Sequence, residues 1–312
     1  MITQITSISP ALLRLLAGSI DYAGVFPPSS LPLSNALTMF KQYIQGPDSW
    51  IIGSVVLPIE LLSEVGGSME STAYRLTVIL RRTDQPAEWL SRLQEDVEDL
   101  RLFLADHPQV AVQALELALP SASNPTDIPK LVEEMIPLTG GYRVFLELPT
   151  QDEIFRQRLK ATVSALASRR TLGWGLKLRM GGPTPEAFPS VSTVAEVIAT
   201  VRDRETPIKF TAGLHHPMCH WDRDIRVPMH GFINVLMAAL FAHACRLPPK
   251  NIEAILGDEN SKNFSFKGNV ARWQDLPLRA ELIEDLRRLV VSFGSCSVDE
   301  PLSDLRTLGW LP

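Results

Sequence analysis

Lysines, an arginine and acidic residues interrupt otherwise apolar runs of this chain. GLKLRMGG (175–182) carries Lys177 and Arg179, and PIKFTAGL (207–214) carries Lys209 and Thr211. VQALELAL holds Glu116, YRVFLELP holds Glu147 with Arg143 four positions earlier, and IDYAGVF holds Asp21. In a strand, residues i and i+2 point to the same side. Lys177 and Arg179 therefore share one face, and Leu176, Leu178 and Met180 share the other. A nearby cation disfavours protonation of an amine and lowers its pKa. A lysine so treated can attack a carbonyl and form a Schiff base. Lys177 is thus a candidate nucleophile, with Lys209 and Arg179 as the cations that lower its pKa. Glu116 or Glu147 could move protons, directly or through a water. The same cations also suit an anion, since lysine and arginine hold phosphate or carboxylate. The plain alternative is a structural network in which the glutamates neutralise the lysines. Each buried ion costs several kcal/mol to desolvate even when paired, so five or six of them favour a polar active site.

GLHHPMCHWD places His215, His216, Cys219 and His220 just past a strand end, with His230 following. His215 has the parity of Lys209 and Thr211, which makes it a candidate general acid or base. A metal reading would join one or two of these histidines to Glu116 and Glu147. Their spacing matches no specific ligand signature, and Lys177, Arg179 and Lys209 would repel a divalent cation. No metal or cofactor is therefore expected. His216 and His220 are expected on a surface or lid loop, His230 at the first turn of an apolar helix, and His243 in packed core. In SFGSCS, Cys296 reads as a small buried filler. The amides around Gly294 and Ser295 read as an anion cradle at a strand–helix turn. Gly181, Gly182 and Gly213 are expected at tight turns near a ligand. Asp21 precedes the rigid Pro27-Pro28 loop, a candidate pocket wall, and is expected either to touch substrate or to pair with a lysine.

The elements that must position these residues alternate along the chain. SPALLRLLAG predicts a short leading helix capped by Ser9, with Pro10 in its first turn. Eight strand-like runs then follow: IDYAGVF, WIIGSVVLP, YRLTVIL, VAVQALELAL, YRVFLELP, GLKLRMGG, PIKFTAGL and LVVSFG. Helical stretches separate them, LPLSNALTMFKQYIQG, PAEWLSRLQEDVEDLRLFLADH and SVSTVAEVIATVRDR among them, with a short helix and loop over ELLSEVGGSMES and a helix opening at QDEIF. Such alternation implies a parallel sheet, and eight units in one chain favour a closed (β/α)8 TIM barrel. The apolar strand residues then pack under helices and the charged ones point into the barrel. Residues 215–288 form a long insertion between strands 7 and 8 of a single domain spanning 1–312. It holds an apolar helix from His230, a small hairpin at NFSFKGNVARW and the helix LRAELIEDLRRL, and is expected to cover the barrel mouth. The helix–strand boundary at 285–294 is the least defined.

At 312 residues, 45% hydrophobic and 21% charged, the composition is that of an ordinary globular protein. A net charge of −5 gives no basic footprint for nucleic acid. Three cysteines without a CxxC pair fit a reducing cytoplasm. The N-terminal segment lacks a basic leader, and FINVLMAALFAHACRL is short for a membrane span. Homo-oligomerisation is compatible with the sequence.

In order and spacing, these strands resemble those of deoxyribose-phosphate aldolase and the wider class I aldolase-type barrels, from about 110 to 214 and again at 289–298. IDYAG resembles that family's opening strand, ALELAL its acidic fourth strand and YRVFLELP its fifth. The resemblance assigns the Schiff-base lysine to Lys177 and the second, pKa-lowering lysine to Lys209. It assigns a Gly-Ser phosphate loop to Gly294, Ser295 and Ser297. Two departures stand out: Arg179 lies where the family has small hydroxyl residues, and His-His-Pro with the long insertion follows Gly213. The whole chain also resembles an uncharacterised bacterial protein family with DYAG-FPP, K-TAGLHHP, HGF-N and SFGSCS segments. The resulting expectation is a lyase that makes or breaks a carbon–carbon bond on a small carbonyl substrate, phosphorylated or carboxylated. The alternatives are a metal-dependent barrel isomerase or hydrolase using Glu116, Glu147 and His215, and a non-catalytic barrel that binds an anionic metabolite.

Overall fold

The computed structural model describes residues 8–65, 73–150 and 154–312. Eight parallel strands close into a barrel: β1 (Ile20–Tyr22), β2 (Ile52–Pro58), β3 (Tyr74–Ile79), β4 (Val110–Ala118), β5 (Val144–Glu147), β6 (Gly175–Arg179), β7 (Ile208–Thr211) and β13 (Val290–Ser295). β13 pairs with both β7 and β1 and so completes the ring. Helices α1 (Pro10–Leu16), α2 (Leu33–Gln45), α3 (Pro86–Asp106), α4 (Ile128–Met135), α5 (Phe155–Ala167) and α6 (Val191–Asp203) precede or cross between strands. The Ser9 hydroxyl accepts the Leu12 amide at 3.2 Å, the expected cap of α1. The architecture is a (β/α)8 TIM barrel. Two predicted segments lie partly outside the described residues: the loop at 66–72 and the start of the helix at 151–153.

The strands behave as alternation predicts. Leu176 and Leu178 are buried on the helix side of β6, and Ile208 and Phe210 on that of β7. The loops after β6 and β7 are held close by two glycines. A Cβ on Gly213, whose φ is +67°, would sit 3.0 Å from the Gly181 Cα and from the Met180 carbonyl oxygen. A side chain there would force apart the two strand ends that carry Lys177 and Lys209.

Between β7 and β13 the chain does several different things. β8 (His220–Asp222) and β9 (Val227–Met229) form a two-stranded hairpin. Helix α7 (Phe232–Cys245) is buried from Phe232 through Ala242 and packs against β13, α6, α8 (Pro249–Leu256) and α9 (Ala280–Leu286). It therefore fills the layer that covers the last strands. β10 (Phe264–Lys267), β11 (Val270–Trp273) and β12 (Leu276–Arg279) form an antiparallel sheet beside α1. Helix α10 (Asp299–Thr307) closes the chain.

One buried amide ties these pieces together. Asn234 of α7 accepts the Cys219 amide at 2.8 Å and donates to the carbonyls of Ile255 and Asp258 at 2.9 and 2.8 Å. Replacing it with leucine strands the Cys219 amide and the Asp258 carbonyl and leaves the Ile255 carbonyl with a long bond from the Asp258 amide at 3.4 Å. Asn234→Leu is therefore expected to cost about 2–3 kcal/mol in a urea unfolding titration. A loss below about 0.5 kcal/mol would show that water reaches the freed groups.

Candidate active site

Register brings the charged strand residues together. Glu147 of β5 pairs with Lys177 of β6, and Lys177 with Lys209 of β7. Parallel neighbours lie about 4.8 Å apart, so the three side chains enter the barrel side by side. Glu116 of β4 comes up from one pleat below, since Ala118 is the residue that pairs with Glu147. Glu116 then stands between the two lysines. Its Oε2 accepts from Lys177 Nζ at 2.7 Å, and its Oε1 is ion-paired with Lys209 Nζ. Lys177 Nζ also reaches Glu147 Oε2 at 2.8 Å, and Lys209 Nζ reaches Asp21 Oδ2 at 2.9 Å. Arg82 Nη2 lies 3.5 Å from Glu147 Oε1. Three carboxylates thus face three cations.

This arrangement reverses the expected electrostatics of the lysines. Burial pushes both lysine pKa values down, but the carboxylates outweigh it: Glu116 and Glu147 for Lys177, and Asp21 and Glu116 for Lys209. Both end up raised. Burial likewise pushes Glu116 up, yet the two ammonium groups bring it down to about 2. Glu147 is also lowered, against its burial, mainly by Lys177. At neutral pH Lys177 is an ammonium. Lys209 and Arg179 do not make it a free amine, because a carboxylate, not a second cation, is its nearest charged neighbour.

The lysines also differ in access. Lys177 is 6% exposed and Lys209 only 1%. Lys177 and Glu116 line a cavity of about 550 Å³ at the C-terminal mouth of the barrel. Lys209 and Asp21 line a different cavity, at the N-terminal end. The mouth cavity is walled by Phe26, Pro27 and Pro28 on one side and by Asp222, Ile225 and Met229 of the hairpin on another. Arg179, Thr211, Gly213, His215 and Gly294 complete its polar rim. Arg179 is exposed, and its Nε donates to the Gly181 carbonyl at 3.0 Å. Both terminal nitrogens remain available to an incoming anion, and the guanidinium acts on Glu147.

The closed barrel has a counterpart among solved structures. The chain is similar in fold to a deoxyribose phosphate aldolase from Aeropyrum pernix. That protein is described as having a unique tetrameric structure. The two share 13% identity over 96% of this chain and 98% of that one, with a TM-score of 0.50. No protein-family model and no curated protein matches the chain.

Several site residues sit differently from expectation. Asp21 takes the second of its two expected roles, pairing with Lys209, and faces away from the mouth. Its Oδ1 accepts the Ser54 amide and hydroxyl at 2.9 and 2.7 Å, and its Oδ2 accepts the Ser292 hydroxyl at 2.6 Å. It anchors Lys209 and has no contact with the mouth cavity. At the β13–α10 turn, where an anion cradle is expected, the polar groups of Ser297 are turned to their own chain. The Ser297 amide points to the Ser295 hydroxyl at 3.4 Å, and the Ser297 hydroxyl accepts the Glu300 amide at 3.2 Å. Asp299 and Glu300 occupy the first turn of α10, which further disfavours an anion there. Cys296 is more than a filler. It lines the mouth, and its Sγ lies 3.8 Å from His215 Nδ1. Burial raises its pKa, but contact with His215 and Ser29 outweighs this and leaves it lowered. Contact with Cys296, and then Glu300 at 3.3 Å, raises the pKa of His215. Cys296 and Glu300 both engage Nδ1, so they do not form a relay across the ring. His216 pairs with Asp304 at 2.6 Å and stacks edge-on against His220. His230 is buried on the Pro189 carbonyl oxygen at 2.7 Å. His243 is only partly buried, and its pKa falls to about 4, mainly through desolvation.

Among the described residues, no group of three or more His, Cys, Asp or Glu side chains is arranged to hold a metal ion. Glu116 spends both oxygens on the lysines, and Glu147 spends Oε2 on Lys177 and Oε1 on Arg82, so cationic side chains fill the place a metal would take. No described helix is long and apolar enough to cross a membrane. The partners that sequence reasoning missed are Ser54 and Ser292 under Asp21, Arg82 on Glu147, and Glu300 beside His215. Ser54 and Ser292 carried the same signal as Asp21, a polar residue in an apolar strand.

Proposed function

We propose that this chain is an aldolase-like lyase that forms a Schiff base between Lys177 and a small carbonyl substrate. One observation carries the reading: a buried lysine at the floor of the mouth cavity is clamped between two carboxylates. An iminium has the same charge as the ammonium it replaces, so Glu116 and Glu147 would stabilise it without rearranging. The lysine must first lose a proton, and Glu116 Oε2 and Glu147 Oε2 are both within hydrogen-bond reach of Nζ. Nζ then attacks the carbonyl carbon and water leaves to give the iminium. The bond between its α and β carbons breaks as the electron pair moves into an enamine and the β-hydroxyl gives up its proton to become a carbonyl, or forms by the reverse. His215 has its Nδ1 engaged, which leaves Nε2 to exchange a proton with the substrate. Thr211, Gly213 and Gly294 shape the pocket around the carbonyl. Arg179, rather than the β13–α10 turn, takes the anionic end, a carboxylate or a phosphate. Lys209 acts as a positioning residue that orients Glu116. The similar aldolase is described as tetrameric, and homo-oligomerisation is carried here as part of the proposal.

Borohydride reduction in the presence of small aldehydes and 2-oxo acids, read by peptide mass, is expected to tag Lys177. If no compound gives an adduct while the folded protein still binds carboxylated or phosphorylated ligands, the chain is a binding protein and the lyase reading fails.

A further inference from the structure

The second cavity lies at the opposite end of the barrel. It measures about 210 Å³ and is lined by the entry residues of the strands, among them Gly53 of β2, Arg75 of β3 and Arg143 just before β5. A water needs only about 10–15 Å³ of such space, so the cavity has room for a multi-atom ligand. Two guanidinium groups, those of Arg75 and Arg143, line it, and neither makes an ion pair among the described residues. Arg75 donates to the carbonyls of Gly53 and Ile52 at 2.8 and 2.7 Å. Arg143 donates to the Gly173 carbonyl at 2.8 Å and more weakly to the Arg288 carbonyl at 3.5 Å, and lies over the Phe145 ring. Arg287 stands outside the lining: it donates to the Ala17 carbonyl, next to the lining residue Gly18, at 3.0 Å, and its Nη1 is buried with no hydrogen-bond partner.

Carbonyl oxygens orient these groups but do not cancel their charge. The carboxylate that acts on Arg143 and Arg287 is Asp21. Its two oxygens already accept from Ser54, Ser292 and Lys209. Lys209, at the inner end of the cavity, is in turn balanced by Asp21 and Glu116. The three arginines are left in excess. Burial pushes Arg143 below its usual range and Arg287 to about 10, as expected for guanidinium groups short of a counter-charge. Arg75 is exposed and Arg143 and Arg287 are half-buried, so water offsets part of their charge, and an anion in the cavity offsets what is left.

We propose that the N-terminal mouth binds a tetrahedral oxyanion, inorganic phosphate or the phosphate of a small monoester, between Arg75 and Arg143 with Arg287 alongside. The arginines come from three separate points of the rim, β3, the start of β5 and the end of α9. That spread suits a tetrahedral dianion better than a planar monocarboxylate, which one guanidinium satisfies edge-on. The site is separate from Lys177 and does not depend on the chemistry assigned to the other mouth.

Isothermal titration of the full chain with inorganic phosphate, glycerol phosphate or acetate, at matched ionic strength, tests the assignment. Saturable phosphate binding is expected, with acetate at least tenfold weaker. Glycerol phosphate matching inorganic phosphate would show that the site accepts a monoester; its failure to bind would restrict the ligand to the free ion, within the same assignment. Arg143→Met should weaken this phosphate binding at least tenfold, and the same saturable step should persist in Arg179→Met, which removes the anion ligand proposed for the other mouth. If Arg143→Met does not fold, Arg75→Met decides by the same criterion. No saturable binding, equal binding of acetate, or loss of binding in Arg179→Met rather than in the N-terminal variants would overturn the assignment.

Discussion

Glu116→Ala is expected to destabilise the protein by about 3–5 kcal/mol at pH 7, the usual cost of breaking a buried ion pair from one side. The carboxylate bridges Lys177 and Lys209, so its loss leaves two buried ammonium groups facing Glu147 and Asp21 alone. Glu116→Gln should come close to the same loss, because volume is kept and charge is not. Adding Lys209→Met to Glu116→Gln should recover part of it, with a coupling above about 1 kcal/mol in a double-mutant cycle. A single-variant loss below about 1 kcal/mol would mean that water solvates the network, contrary to its burial. The acid limb gives a second reading. The pKa of Glu116 falls from 4.5 to about 2 on folding, so its ionisation contributes stability that is present above about pH 4.5 and fades between there and about pH 2. The lysines work in the opposite sense. Their pKa values rise above 10.5 on folding, so their contribution is complete below that pH and is lost as pH climbs through the folded values. In Glu116→Gln the acid contribution of this residue should vanish and the alkaline loss should begin at lower pH.

Strand parity made most of this barrel legible. Charged residues between apolar neighbours point inward once the sheet closes, and that alone brought Lys177, Lys209, Glu116 and Glu147 together. Parity did not show what would stand between the lysines. The stagger of β4 against β5 raises Glu116 into that place, and stagger depends on strand pairing across the ring. Arg179 shares the parity of Lys177 but sits at the strand end, so it is exposed at the rim and acts on Glu147 rather than on Lys177. The pairing of Cys296 with His215 joins two distant stretches of chain through loop geometry, which no periodicity encodes. Helix α8 and strands β8, β9 and β12 are only three to eight residues long, too short for either period to register. A polar residue in an apolar strand marks a substrate ligand and a lysine's partner alike, so Asp21 carried both expectations, and its pairing with Lys209 is the second.

Trapping of a carbonyl at Lys177 is expected to accelerate with pH by about tenfold per unit from neutrality upward, with no plateau below pH 9. The free amine is the attacking species. Lys177 is held as an ammonium by Glu116 and Glu147, against the effect of its own burial. While pH stays below the pKa, each unit multiplies the free-amine fraction by about ten. A plateau near pH 7 would show an amine already deprotonated there and would contradict the carboxylate clamp. Lys177→Met should abolish the adduct and lower kcat/KM by on the order of 10⁴-fold or more, the scale seen when a covalent nucleophile is removed. Lys209→Met should behave differently. It deletes the cation on the other oxygen of Glu116, leaving that carboxylate to Lys177 alone. The pKa of Lys177 then rises further, so trapping survives but slows at any fixed pH, and its profile moves to the alkaline side. If Lys209 instead acted by lowering the pKa of Lys177 until it was a free amine near neutral pH, the wild-type profile would plateau near pH 7 and Lys209→Met would remove that plateau. The shape of the wild-type curve therefore separates a lysine kept charged until substrate arrives from one held ready as a free amine.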